Sequence, residues 1–262
     1  MTNAAQAEDD QGSPLSRRSL IGRVGVGAGI AWVAPVVLSS PAFAQGTCVV
    51  DSVNWLNHES SLNDLATNSF QVGVGSLSTM TVTLDTSNIG SGTGSTTYAS
   101  TVPLGGESAS FAELSIDASA AGEYIELIFT FDNPVDALAF TLLDIDRSLG
   151  DWADRVSLFA DLAGSAVQLT GADFTITNGV NVNHTALAVD PLATYGAGNR
   201  FDGVVDPPDS QPGVDNNTTG GNVAVVYPAS IDRFVLRYEP GSNTDLETQQ
   251  IGLASFSLCV FE

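Results

Sequence analysis

A chain of 262 residues with 30 acidic and 8 basic side chains carries a formal charge of −22, and every basic residue is arginine. A field of that sign repels nucleic acid and anionic lipid and attracts cations, so neither polymer is an expected partner. Hydrophobic residues make up 43% and charged residues only 15%, with 26 glycines, a mixture that suits pleated strands joined by tight turns rather than disorder.

The first segment carries export signals. Ser16-Arg17-Arg18-Ser19-Leu20-Ile21 resembles the twin-arginine (Tat) export motif, a Gly-rich apolar stretch runs from Val24 to Leu38, and Ala42-Phe43-Ala44 supplies a small-x-small cleavage pattern. Residues 1–44 are therefore expected to be a cleaved signal peptide, with Gln45 as the mature N-terminus. The uncharged run spans 15 residues and contains Pro35, whereas a membrane span needs about 20 residues, so no stable span is expected after cleavage. The resemblance implies passage through the Tat machinery already folded, and a secreted, periplasmic or cell-surface protein. Three arginines and three acids lie before residue 45, so the remaining chain keeps the whole −22.

Residues 45–262 read as one domain of short strands. The two cysteines, Cys48 and Cys259, open and nearly close it. Each falls opposite the apolar face of its strand: Val49, Val53 and Trp55 at the start, and Phe256, Leu258 and Val260 at the end. A disulfide is expected if those strands are neighbours in an oxidising compartment, the alternative being two free thiols. Between them, strands are predicted at Phe70–Gly75, Thr79–Asp85, Tyr98–Val102, Ser110–Ile116 and Glu123–Phe131. Asp132-Asn133-Pro134 is expected to turn the chain into a hairpin with Ala137–Ile145. Further strands are predicted at Arg155–Leu162, Ala166–Thr170, Asp173–Thr177, Asn183–Val189, Val223–Tyr227, Ile231–Tyr238 and Ile251–Phe261. One long irregular loop is expected at about 193–222, rich in Gly, Asp, Asn and Pro. The fold class that follows is all-β, a two-sheet antiparallel β-sandwich of jelly-roll type.

Four aspartates follow the predicted hairpin: Asp144, Asp146, Asp151 and Asp154. On a strand, Asp144 and Asp146 would share a face and continue the inward row of Leu138, Phe140 and Leu142. Carboxylates placed so repel one another and are costly to desolvate unless a cation offsets them. Calcium, with about six to eight oxygen ligands drawn from flexible loops, is the candidate cofactor. The alternative is an aspartate-rich end capped by its own backbone and by Arg155.

Carbohydrate binding combines aromatic platforms with polar side chains, and Trp152, Tyr195 and Phe201 are the candidate rings; Trp152 also fits as a plug of the sandwich end. His58 and His184 are the only histidines, and neither accompanies a nucleophile elbow or a metal-binding pair. Glu123 and Glu126, three apart on a strand, fall on opposite faces and do not form a glycosidase pair.

Phe131-Asp132-Asn133-Pro134-Val135, Leu142-Leu143-Asp144-Ile145-Asp146 and Asp154-Arg155-Val156, with Phe234-Val235-Leu236-Arg237-Tyr238 leading to Gln250-Ile251-Gly252-Leu253-Ala254-Ser255-Phe256, are similar to lectin-like jelly-roll domains of bacterial adhesins and cell-surface proteins. The resemblance implies a non-catalytic binding or structural module at the cell envelope, with a glycan or other cell-surface ligand. The alternative is a secreted carbohydrate-active enzyme on the same scaffold. Mass spectrometry of the exported protein, alkylated without reduction, is expected to give a chain beginning at Gln45 with no alkyl group added; an alkylated product, or one retaining residues 1–44, contradicts these expectations.

Overall fold

The computed structural model of the chain describes residues 48–65, 69–74, 78–99, 104–106, 111–147, 153–177, 182–203, 219–241 and 248–261. The chain divides into two units, Met1–Ala34 and Pro35–Glu262, and all described residues belong to the second. Arg17, Arg18, Ala42, Ala44, Asp151 and Trp152 lie outside the described residues.

Fifteen strands occur among the described residues: β1 (Cys48–Val53), β2 (Phe70–Val74), β3 (Ser78–Asp85), β4 (Thr93–Ala99), β5 (Phe111–Asp117), β6 (Ile125–Leu143), β7 (Asp154–Leu162), β8 (Ser165–Ala166), β9 (Phe174–Ile176), β10 (Val182–Leu187), β11 (Gly198–Gly203), β12 (Val223–Val226), β13 (Ile231–Pro240), β14 (Gln249–Ala254) and β15 (Phe256–Phe261). Among the described residues, helical structure is confined to a 3-10 turn at Trp55–His58 and a short helix at Glu59–Asn63. No described helix is long and apolar enough to cross a membrane.

The strand β6 belongs to both sheets. Its first half pairs with β3 on one side and β13 on the other. Its second half pairs with β12, and with β14 and β15. The first sheet therefore runs β10-β11-β7-β13-β6-β3-β2, and the second runs β9-β12-β6-β14-β5-β4, with β15 also beside β6 and β1 beside β15. All pairings are antiparallel. The all-β antiparallel sandwich expected from the alternation is what the chain forms, while the strand order does not by itself establish jelly-roll connections.

The expected hairpin at Asp132-Asn133-Pro134 is a bend inside one strand. The pairing of β13 with β6 jumps here: Ile231 faces Val135 and Arg233 faces Thr130. Pro134 is exposed at this bend, where its missing N–H costs no ladder bond. Inward positions are odd-numbered up to Val135 and even-numbered from Leu138. Ala137, at a left-handed φ of 49°, marks the phase change, as a bulge does when a strand turns a corner between sheets. Both halves of β6 then face one core, in which Phe129 and Phe140 pack against Phe234 and Phe256 with ring centroids 4.9–5.5 Å apart.

Two other expectations change. The irregular stretch at 193–222 contains a strand, β11, paired on both sides with β10 and β7; residues 204–218 lie outside the described residues. The strand expected at Ala166–Thr170 shortens to Ser165–Ala166 beside β7, and the one expected at Asp173–Thr177 forms as β9, which adds to β12 in the second sheet. The terminal strands are neighbours as expected: β1 lies along β15, with Val50 opposite Cys259 and Cys48 opposite Phe261. Cys259 is buried and is not a free thiol.

The end of β6 is clamped by close backbone approach. A Cβ on Gly203 would sit 2.0 Å from the Asp146 carbonyl oxygen, and one on Gly221 2.7 Å from the Ile145 carbonyl oxygen. Gly203→Ala is expected to destabilise by about 3 kcal/mol, the usual scale of overpacking, read as a lowered melting temperature. An unchanged melting temperature contradicts the clamp.

Candidate functional site

Along the first sheet, the side chains opposite the core form cross-strand rows. Thr81, Thr130, Arg233 and Asp161 make one row, and Thr83, Ile128, Val235 and Phe159 the next. Asp85, Glu126, Arg237, Ser157 and Arg200 make a third, and Glu239, Arg155 and Asp202 a fourth. Four of the five arginines after residue 44, namely Arg155, Arg200, Arg233 and Arg237, thus stand on one face of one sheet.

The loop between β10 and β11 packs on this face. Phe159, Leu187 and Val235 form a small apolar cluster, with Ile128 and Tyr195 against it. At its centre Arg237 is buried, with its side chain 3% exposed. Its Nε donates to Glu126 Oε1 at 2.8 Å, while its two terminal nitrogens donate to Asp190 Oδ1 and Oδ2 at 2.8 and 3.0 Å. Asp190 Oδ1 also accepts the Leu192 N–H, and its Oδ2 accepts those of Thr194 and Tyr195, each at 3.1 Å. The Tyr195 hydroxyl donates to Glu126 Oε2 at 2.6 Å. The guanidinium lies 4.7, 4.9 and 5.4 Å from the ring centroids of Tyr124, Phe159 and Tyr195. One arginine therefore fixes both ends of Tyr195: the loop that carries it and the acceptor of its hydroxyl.

Electrostatics follow from this packing. Burial alone would lower the Arg237 pKa, but its hydrogen bonds to Asp190 and Glu126 outweigh burial and raise it. Burial alone would raise Asp190, yet Arg237 and the loop amides bring it below the ordinary carboxylate value. The Tyr195 hydroxyl is raised by burial and then by its bond to Glu126. Nearer the edge, Asp202 Oδ1 accepts from Arg155 at 2.5 Å and its Oδ2 from Arg200 at 2.9 Å, and Arg233 Nε lies 3.0 Å from Asp161 Oδ2.

The acidic corner lies elsewhere, at the end of β6. The strand stops at Leu143, and Asp144 adopts a left-handed φ of 65°, so Asp144 and Asp146 do not extend an inward strand row. Asp144, Asp146 and Asp154 are nevertheless all buried, at 4%, 3% and 2% exposure. The Asp146 N–H donates to Asp154 Oδ2 at 3.1 Å, the Asp154 N–H to the Asp146 carbonyl at 2.9 Å, and the Tyr238 hydroxyl to Asp154 Oδ1 at 2.5 Å. Burial and then the Asp146 charge push Asp154 well above its ordinary value. Arg155, expected as a possible cap here, pairs with Asp202 instead. Among the described residues, no three His, Cys, Asp or Glu side chains converge as a metal-holding group.

Of the predicted rings, Tyr195 is half-buried on the sheet face. Phe201 is fully buried in the core, where it packs on Phe174 and His184, so it is no exposed platform: β11 turns its even neighbours Arg200 and Asp202 outward instead. His184 is half-buried, and the fully buried Asn199 amide is oriented to donate to its Nε2 at 2.9 Å, which makes that nitrogen an acceptor. The residues that sequence reasoning missed are Glu126, Asp161, Asp190, Arg233 and Arg237. Arg233, Val235 and Arg237 alternate with Phe234, Leu236 and Tyr238 along β13, and that alternation was the signal for two arginines on one face. Compared with family models, curated proteins and solved structures, the chain matches none.

Asp154 is joined by Asp136, Glu113 and Glu239, all raised first by burial. Groups raised in the fold stabilise it fully below their unfolded values, and that stability is lost as pH rises through the folded values. Asp190 acts oppositely: its contribution is present above its unfolded value and is lost as pH falls through the lowered one. Denaturant unfolding in EDTA is therefore expected to show greatest stability on the acid side of neutrality, above the ordinary carboxylate range of about 4. A steady gain in stability from about pH 5 to pH 8 contradicts these assignments.

Proposed function

We propose that this protein is an exported, non-catalytic binding module that holds a glycan on the outer face of its first sheet, with Tyr195 as the ring platform. The observation that carries the reading is the fixation of Tyr195: its hydroxyl is bonded to Glu126 and its loop to Asp190, both through the one buried Arg237. A pre-fixed ring loses little freedom when a sugar stacks on it. The neighbouring row of Thr81, Thr130, Arg233 and Asp161 supplies the donors and acceptors that a sugar's hydroxyls require.

Binding is favoured over hydrolysis by the state of Asp190, whose two oxygens are engaged by Arg237 and which Arg237 and the loop amides hold below the ordinary carboxylate value, leaving it poorly suited to donate a proton, which a glycosidase acid must do. The other parts of the reading belong to the scaffold. Export proceeds by the Tat route to the cell envelope, and a Cys48–Cys259 bridge ties the terminal strands. Calcium at the acidic corner belongs to the same proposal, with Asp144, Asp146, Asp154 and Asp151 as its ligands: the described three do not converge by themselves, so the ion would draw them together. The jelly-roll kinship with lectin-like modules is part of the same proposal.

A glycan array probed with the mature protein, with and without calcium, tests this reading. At least one glycan is expected to bind, and Tyr195→Ala is expected to weaken it about tenfold, the equivalent of losing roughly 1.4 kcal/mol of stacking. Calcium is expected to raise the melting temperature in parallel. An array with no binder, or a Tyr195→Ala variant that binds unchanged, contradicts the glycan reading; a melting temperature unmoved by millimolar calcium removes the metal.

A further inference from the structure

We infer that the Tyr195 face takes an acidic saccharide, a sugar bearing a carboxylate, and that Arg233 is the residue that reads its charge. The inference rests on the glycan reading above and narrows it to one ligand class.

The first support is where the positive charge stands. In a chain of net charge −22, four of the five arginines after residue 44 share the outer face of the first sheet. Charges farther off than about 8 Å are largely screened at physiological salt; within that range the arginines share the face with Asp85, Glu126, Asp161, Asp202, Glu239 and Asp190, so the face is not net positive and an anion is read by whichever arginine keeps open donors.

The second support is how those arginines are engaged. Arg237 is buried at 3% side-chain exposure and gives all three kinds of nitrogen to Glu126 and Asp190. Arg155 and Arg200 share Asp202, at 24% and 28% exposure. Arg233 is the most open, at 38%, and its ion pair with Asp161 runs through Nε, which leaves the terminal amino groups to a ligand. Its guanidinium lies 4.9 Å from the centroid of the Tyr195 ring, so the charge and the proposed stacking platform are one unit. Thr130, exposed and directly opposite Arg233 across the ladder, sets a hydroxyl beside it. A planar guanidinium fork matches a carboxylate with two parallel hydrogen bonds, which an ammonium does not. A pyranose stacked on Tyr195 with its carboxylate toward Arg233 uses all three groups.

The test titrates the mature protein with oligomers of galacturonate, of mannuronate and of glucuronate-containing hyaluronan, each beside its methyl ester, which removes the charge and keeps the ring. At least one acid is expected to bind about tenfold tighter than its ester, the scale of one charge-assisted hydrogen-bonded contact. Arg233→Gln is expected to bring acid and ester to within about twofold of each other, and Arg233→Lys to keep part of the preference. Melting temperatures establish that both variants fold, and the acid-against-ester comparison on the unaltered protein stands without them. Esters that bind as tightly as acids, or a preference that survives Arg233→Gln, overturn the acidic-sugar inference while the glycan reading stands. Failure of every acid and every ester while the glycan array still gives a binder overturns the acidic-sugar inference alone; failure on the array as well overturns the glycan reading.

Discussion

A guanidinium taken out of water must be met by carboxylates, and the first sheet is arranged around that requirement. Arg237 is desolvated on a face that would otherwise be open, and Glu126 and Asp190 meet it with three hydrogen bonds. Such a buried pair is not in itself a strong source of stability, because the cost of removing its charges from water offsets much of their attraction. Its consequence is positional. Asp190 is brought to one place, the three loop amides that it accepts follow it, and Tyr195 is laid against Phe159 and Arg233. The loop is a fixed part of the sheet face rather than a flexible excursion, and the platform that the proposed ligand meets exists before the ligand arrives.

That face depends on β6. Because one strand serves both sheets, its first half is flanked by β3 and β13 while its second half is flanked by β12, β14 and β15. Glu126 lies on the first half and Asp136, Leu142 and the approach to the acidic corner on the second. The bend at Asn133-Pro134 and the left-handed Ala137 separate a surface that carries arginine from a corner that carries buried aspartate. The two chemistries have different partners: Arg155, Arg200, Arg233 and Arg237 pair with Asp202, Glu239, Asp161, Glu126 and Asp190 on the sheet face. The corner's own devices are a tyrosine hydroxyl, backbone amides and close glycine contacts.

Much of the scaffold was legible in the sequence, because a period of two is a local property. The strands at Thr79–Asp85, Arg155–Leu162 and Ile231–Tyr238 fall where alternation places them, and the neighbouring terminal strands follow from the parity of Cys48 and Cys259. What misled was also local. Asp-Asn-Pro has the composition of a turn, and nothing within it distinguishes a hairpin from a bulged corner. Gly198, Asn199 and Gly203 give β11 the composition of a loop, which hid Phe201 in an apparent irregular stretch. The site itself was the least legible part. Arg237 meets Glu126 across 111 positions and Asp190 across 47, and no periodicity encodes partners so far apart. Asp190 in Val-Asp-Pro-Leu reads as an ordinary turn residue, and it does make a turn, but its two oxygens also carry the ion pair.

The account stands on a loop that is held in place, and backbone hydrogen exchange measures that directly. Among the described residues, the amides of Leu192, Thr194 and Tyr195 have only the Asp190 side chain as acceptor, so their protection reports on Asp190 and hence on Arg237. If Arg237 fixes the loop, these three amides exchange slowly, in step with the Glu126–Phe129 segment of β6. Exchange at the rate of an unstructured peptide, with β6 still protected, would show the loop free of Arg237 and would leave the Tyr195 platform without its foundation.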